Sequence, residues 1–175
     1  TGMYVPGMMK LGRWWLLGNQ NGWTRSGLSL VGKHPIEPQT EEWTRRGLYY
    51  RKLLRCHWEF GRPYLAYGRM LRPPKVTGDI PIIHKQIRAV DGSAWLAPDG
   101  SVGVFLLNYD NKPYKFQWSI NLNEIAGIKA SQTLDISSWT ENGTTRDGRT
   151  QGGVVSRKAT IEPWGLIAIK LEKRK

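Results

Sequence analysis

The side chains able to move protons come first. The chain has fourteen acids, and hydrolysis by acid/base chemistry needs two of them facing each other. Most have local reasons for their positions. Asp99 and Asp110 stand in turn sequences, Glu41 and Glu42 suit the first turn of a helix, and Asp91, Asp147 and Glu172 lie in polar segments. Glu59, Asp135 and Glu162 are less easily dismissed, yet no spacing pairs them, so no catalytic residues are expected within the chain. Cys56 and His57 are neighbours in a helix-like stretch, where consecutive side chains point about 100° apart and do not share a proton. They read as packing residues. His34, His57 and His84 lack ligand spacing, and a single cysteine gives no zinc pattern, so neither metal nor cofactor is expected. Gly148, Gly152 and Gly153 have no strand-to-helix setting and no phosphate-loop lysine; they read as a hairpin.

The aromatics are the stronger signal. Nine Trp and seven Tyr stand against three Phe, a bias that suits surfaces where a ring packs on one side and its polar atom meets water on the other. Trp14, Trp15, Asn19, Gln20, Asn21 and Trp23 fall within ten residues. Rings of this kind stack on a pyranose, and Asn and Gln offer both donor and acceptor to its hydroxyls, so carbohydrate is the expected ligand of this cluster. The same residues also read as a core Trp pair followed by a turn. Trp95, Trp118, Trp139 and Trp164 each read as core or interface.

The formal charge is +12, and it is localised. Residues 44 to 75 hold nine basic side chains against one acid, Glu59, and residues 146 to 175 hold eight against three. Residues 81 to 145 are nearly balanced. Within the first run, "RPYLAYGRMLRPP" (62 to 74) also carries Tyr64, Leu65, Tyr67, Met70 and Leu71 and ends on two prolines. A nucleic-acid patch or a membrane-surface helix explains part of this; a connector wedged between two domains explains all of it. The longest uncharged apolar stretches, such as Trp14 to Leu17 and Val102 to Leu107, are too short to cross a bilayer, and the N-terminus carries no signal-peptide pattern. Cys56, the single cysteine, rules out an internal disulfide.

These residues must be positioned by elements, and two periods are present. From Thr40, "TEEWTRRGLYYRKLLRCHWEFG" places Trp43, Gly47, Tyr50, Leu54 and His57/Trp58 at helical spacing, with Leu48, Tyr49, Leu53, Cys56 and Phe60 widening the stripe. A helix of such apolar girth expects neighbours on more than one side. After Pro81 the period becomes that of strands. Strands are expected at Ser101 to Tyr109 and Tyr114 to Leu122, preceded by a short one before the Asp99-Gly100 turn. Others are expected at Thr133 to Ile136, Val154 to Arg157, Ala159 to Ile161 and Gly165 to Leu171, with "TENGTTRDGRTQGG" (140 to 153) as a turn-rich separator. The fold class is therefore mainly β: an antiparallel β-sandwich preceded by a short α/β segment with one long helix. The expected divisions are 1–61 for the strand, loop and helix, 62–81 for the connector, and 82–175 for the sandwich.

The connector "YLAYGRMLRPP", a sandwich opening "GSAWLAPDGSVGVFLLNYDNKP" and its close "ATIEPWGLIAIKLE" resemble the C-terminal region of large glycoside-hydrolase-like proteins, in which a (β/α)8 barrel is followed by an antiparallel sandwich. The resemblance implies that Trp14 to Leu17 correspond to a late barrel strand, and that Gly18 to Trp23 form the loop at its substrate-facing end. Thr40 to Phe60 would then be the following outer helix. It also implies a sandwich that braces a catalytic barrel and borders its sugar-binding cleft, with the strands that carry the acid and nucleophile lying outside this chain. The expected partner is that missing barrel portion, or a second copy of the chain covering the orphaned apolar face. A stand-alone carbohydrate-binding module and a basic nucleic-acid-binding protein are the alternatives.

Overall fold

A computed structural model describes residue 49 and residues 51–84 and 86–174. The chain divides into two compact units, 1–51 and 52–175, and the second is the one with described architecture. The expected barrel-end strand and the start of the long helix lie outside the described residues.

Residues 52–56 are helical and run into a π-helical turn, His57–Gly61, and then into α1, Arg62–Leu65, with Pro63 in its first turn, where a missing N–H costs nothing. The strands follow as β1 (Arg69–Leu71), β2 (Lys75–Thr77), β3 (Ile82–His84), β4 (Ile87–Arg88), β5 (Val90–Leu96) and β6 (Val102–Asn108). Beyond these come β7 (Tyr114–Asn121), β8 (Thr133–Thr140), β9 (Gly143–Gln151), β10 (Val154–Ile161) and β11 (Leu166–Lys173). Helix α2, Leu122–Ala126, separates β7 from β8.

All the strand pairs are antiparallel. One sheet has the order β1-β5-β6-β11-β8-β9, a second β10-β7-β2, and β3-β4 form a ribbon. The expected antiparallel sandwich is what forms. The second sheet has one wet face: along β7, Phe116, Trp118 and Ile120 are buried while Lys115, Gln117 and Asn121 are exposed, as alternation across a pleat requires. Its buried face meets Val102, Val104 and Leu106 of β6 and Ile169 and Leu171 of β11 in the main core.

The six-stranded sheet is covered on its other face as well. There Phe105, Trp139, Leu166 and Ala168 pack with Cys56 and Tyr64, flanked by Leu53 and Phe60 of the helical segment. Strand β6, buried from Val102 to Leu106, is accordingly apolar on both faces.

Several local expectations are revised. The separator 140 to 153 is mostly strand: β9 is an exposed edge strand with no apolar residue to betray it. The strand from Tyr114 ends at Asn121, whose Oδ1 accepts the Glu124 N–H at 3.2 Å and caps α2. Val154 to Ile161 is one strand, not two. The stretch 62–81 contributes α1, β1 and β2, which pair with β5 and β7 in different sheets. Among the described residues, no helix is long and apolar enough to cross a membrane.

Candidate functional site

Trp14, Trp15, Asn19, Gln20, Asn21 and Trp23, the residues expected to contact sugar, lie outside the described residues. The acids and aromatics of the described unit can be placed.

The buried seam of the helical segment is Leu53, Cys56, Phe60 and Tyr64. The rings of Phe60, Tyr64 and Phe105 meet with centroids 6.0 to 6.5 Å apart. Tyr64 lies over Gly103, where a Cβ would stand 2.6 Å from the root of its ring. Its hydroxyl shares a 3.0 Å hydrogen bond with Ser101 Oγ, which donates to Asp99 Oδ1 at 2.6 Å. Burial pushes the Tyr64 hydroxyl up to about 12 and, with Glu59 adding to it, the Cys56 thiol up to about 12. A thiol so placed stays protonated, in line with its reading as a packing residue.

Polar contacts clamp the rim of this seam. Lys52 Nζ donates to the Trp164 carbonyl at 2.8 Å and pairs with Glu141 Oε2 at 2.8 Å. Arg55 bonds Glu59 at 2.6 Å and the Glu141 carbonyl at 2.9 Å. Glu59, left open by the sequence, also accepts the Trp139 Nε1–H at 2.9 Å. The hydrogen bonds from Arg55 and then Trp139 hold its carboxyl below the usual range, so it is an ionised strut. Asp135 is salt-bridged to Arg146 and Arg149, each at 3.2 Å. Desolvation pushes its carboxyl up, and the two guanidiniums outweigh that and hold it low. Neither carboxyl has the raised affinity for a proton that a general acid needs. The backbone of Glu162 serves a different role, its carbonyl accepting from Asn108 Nδ2 at 2.9 Å. Among the described residues, no group of three or more His, Cys, Asp or Glu side chains could hold a metal ion.

The sandwich tryptophans divide. Trp118 and Trp139 are fully buried, while Trp95 and Trp164 are half-buried. Trp164 adopts a left-handed φ of 54°, a costly conformation for a bulky residue, and its backbone N–H donates to the Asp110 carbonyl at 3.0 Å.

Two exposed surfaces among the described residues bear on ligand binding. The wet face of the three-stranded sheet bears a groove of about 660 Å³ lined by Thr77, Lys115, Gln117, Lys158 and Thr160 among others. Its exposed side chains include no aromatic ring. On the helical segment, Trp58 and Tyr67 are 65% and 61% exposed, and the Arg62 guanidinium lies 5.3 and 5.6 Å from their ring centroids. Sequence spacing assigned Trp58 to the main helical stripe, but the sandwich takes the other side of the helix, that of Cys56 and Phe60.

No family model matches the chain, and no curated protein does. Solved structures similar to it in part include glycoside hydrolases. A proposed α-N-acetylgalactosaminidase from Bacillus halodurans aligns over 62% of this chain and 21% of its own, at 12% identity and a TM-score of 0.40. A GH27 β-L-arabinopyranosidase from Geobacillus stearothermophilus aligns over 62% and 21%, at 13% identity and a TM-score of 0.37. A structure described as a glycoside hydrolase aligns over 83% of this chain and 32% of its own, at 14% identity and a TM-score of 0.38. The aligned part is thus about a fifth to a third of the length of these structures.

Proposed function

We propose that this chain is the C-terminal portion of a glycoside-hydrolase-like protein, in which the sandwich braces a catalytic barrel preceding it and borders the sugar-binding cleft. The sequence resemblance suggests the class. The observation that carries the bracing role is the union of the helical segment with the outer face of the six-stranded sheet. A helix attached only by a linker would be free to swing. This one buries Cys56 and Tyr64 to 2% exposure and is tied at Lys52 to two separate loops through Trp164 and Glu141. An apolar seam with a polar rim fixes direction as well as distance, so the helical segment from residue 52 onward is itself fixed on the sandwich. In this role the acids of the sandwich are struts, and bond cleavage belongs to residues upstream.

The test compares hydrolysis of a panel of nitrophenyl glycosides by residues 1–175 and by the same chain expressed with its upstream coding sequence. Activity confined to the longer protein, and lost when Lys52 and Tyr64 are replaced by alanine, supports the brace. Inactivity of both, with sugar binding by residues 1–175 in calorimetry, favours the stand-alone module.

A further inference from the structure

We propose that Trp58, Arg62 and Tyr67 form a surface site for a carboxylated sugar residue of a glycan. Both rings are mostly exposed, although burying a Trp is ordinarily favourable. They are also held in place. Arg62 Nη2 donates to the Tyr67 hydroxyl at 3.0 Å, and the ring of His57 meets that of Trp58 edge-on at 5.4 Å. Tyr67 sits in the turn closed by the Gly68 N–H on the Tyr64 carbonyl at 2.9 Å, which ties it to a buried residue. Ligand binding to such a cluster orders few side chains and so costs little entropy.

The chemistry selects the ligand. A guanidinium has five N–H donors in a planar fork that matches a carboxylate. Among the described residues no carboxylate forms a salt bridge with Arg62, whereas Lys52, Arg55 and Arg72 pair with Glu141, Glu59 and Glu124. The exposed rings add flat surface for the apolar face of a pyranose. A hexuronate combines that face with one carboxylate; a neutral sugar leaves the cation without its partner. Nucleic acid demands a row of free cations along a phosphate backbone, and in the basic run 44 to 75 Lys52, Arg55 and Arg72 are each paired with an acid. The site uses residues on which the bracing role does not depend, so either proposal can fail alone.

Affinity electrophoresis of the whole chain tests it, in native gels containing polygalacturonate or alginate, with neutral galactan and a single-stranded oligonucleotide in parallel. Retardation by at least one acidic polymer is expected, with binding weakened at least about tenfold by Trp58→Ala and by Arg62→Gln, and changed by less than about twofold by Arg72→Gln, which removes the same charge elsewhere. Circular dichroism verifies that each variant is folded. Equal losses in Arg62→Gln and Arg72→Gln would reduce the effect to general positive charge and overturn the proposal. Retardation by neither acidic polymer overturns it as well, as does oligonucleotide binding of equal strength lost in the same variants.

Discussion

Asn108 shows how much a single side chain can organise. It is fully buried on β6, and its amide nitrogen donates to the Lys112 and Glu162 carbonyls at 2.7 and 2.9 Å while its oxygen accepts the Asp110 N–H at 2.9 Å. Two loops distant in sequence are pinned together by one amide. Asn108→Asp keeps the shape but replaces two donors with an acceptor facing two carbonyls, which is expected to cost about 2 kcal/mol or more in urea denaturation. Glu59 is one of the carboxyls that contribute to acid sensitivity. Its folded carboxyl is held below the ordinary carboxylate range, so its contribution is present above the unfolded-state value and lost as pH falls through the lowered folded one. The drop in Tm between neutral pH and about pH 3 should therefore be smaller in Glu59→Gln than in the parent chain. Neither role was legible in advance. Asn108 fell inside the strand expected at Ser101 to Tyr109 with nothing in the pattern to single it out, and Glu59 stood out without its partners, because Arg55 is a helical neighbour but Trp139 lies eighty residues away.

At the scale of elements, strands that bury one face could be read and those that bury none could not. β7 alternates apolar and polar, and β6 is continuously apolar, so both stand out in the sequence. β9 runs through Thr, Arg and Asp with its side chains in water, and its strand character comes from the register it shares with β8 across a bulge near Gly148, whose φ is 93°. That register depends on a partner, and no local pattern encodes it. The helical segment shows the opposite problem. Its apolar residues cover so much of its circumference that periodicity could not say which side meets the sandwich. Gly103 decides, because the absence of a side chain there lets Tyr64 lie flat on the sheet. Gly103→Ala forces the ring to lift from its root, at an expected cost of about 1 to 3 kcal/mol. Hydrogen exchange should quicken in residues 52–65 while the amides of β7 and β10 keep their protection.

Across the whole molecule, two cores share one sheet. The boundary expected at residue 82 leaves β1, β2 and the helical segment on the other side, yet β2 pairs with β7 over Val76 and Trp118, and the helical segment covers Phe105 and Trp139. A chain starting at residue 82 is expected to lose both covers, and to show a lower Tm and dye-accessible apolar surface than one starting at residue 49. Scanning calorimetry with a hydrophobic dye checks this. The order of the six-stranded sheet also bears on how the protein is made. Strand β11, the most C-terminal of the described strands, lies in the middle, between β6 and β8. During synthesis the backbone ladder between the two halves of that sheet cannot form until residues 166–173 clear the ribosome. A premature stop shortly before this strand would not trim an edge; it would remove the seam on which both halves close.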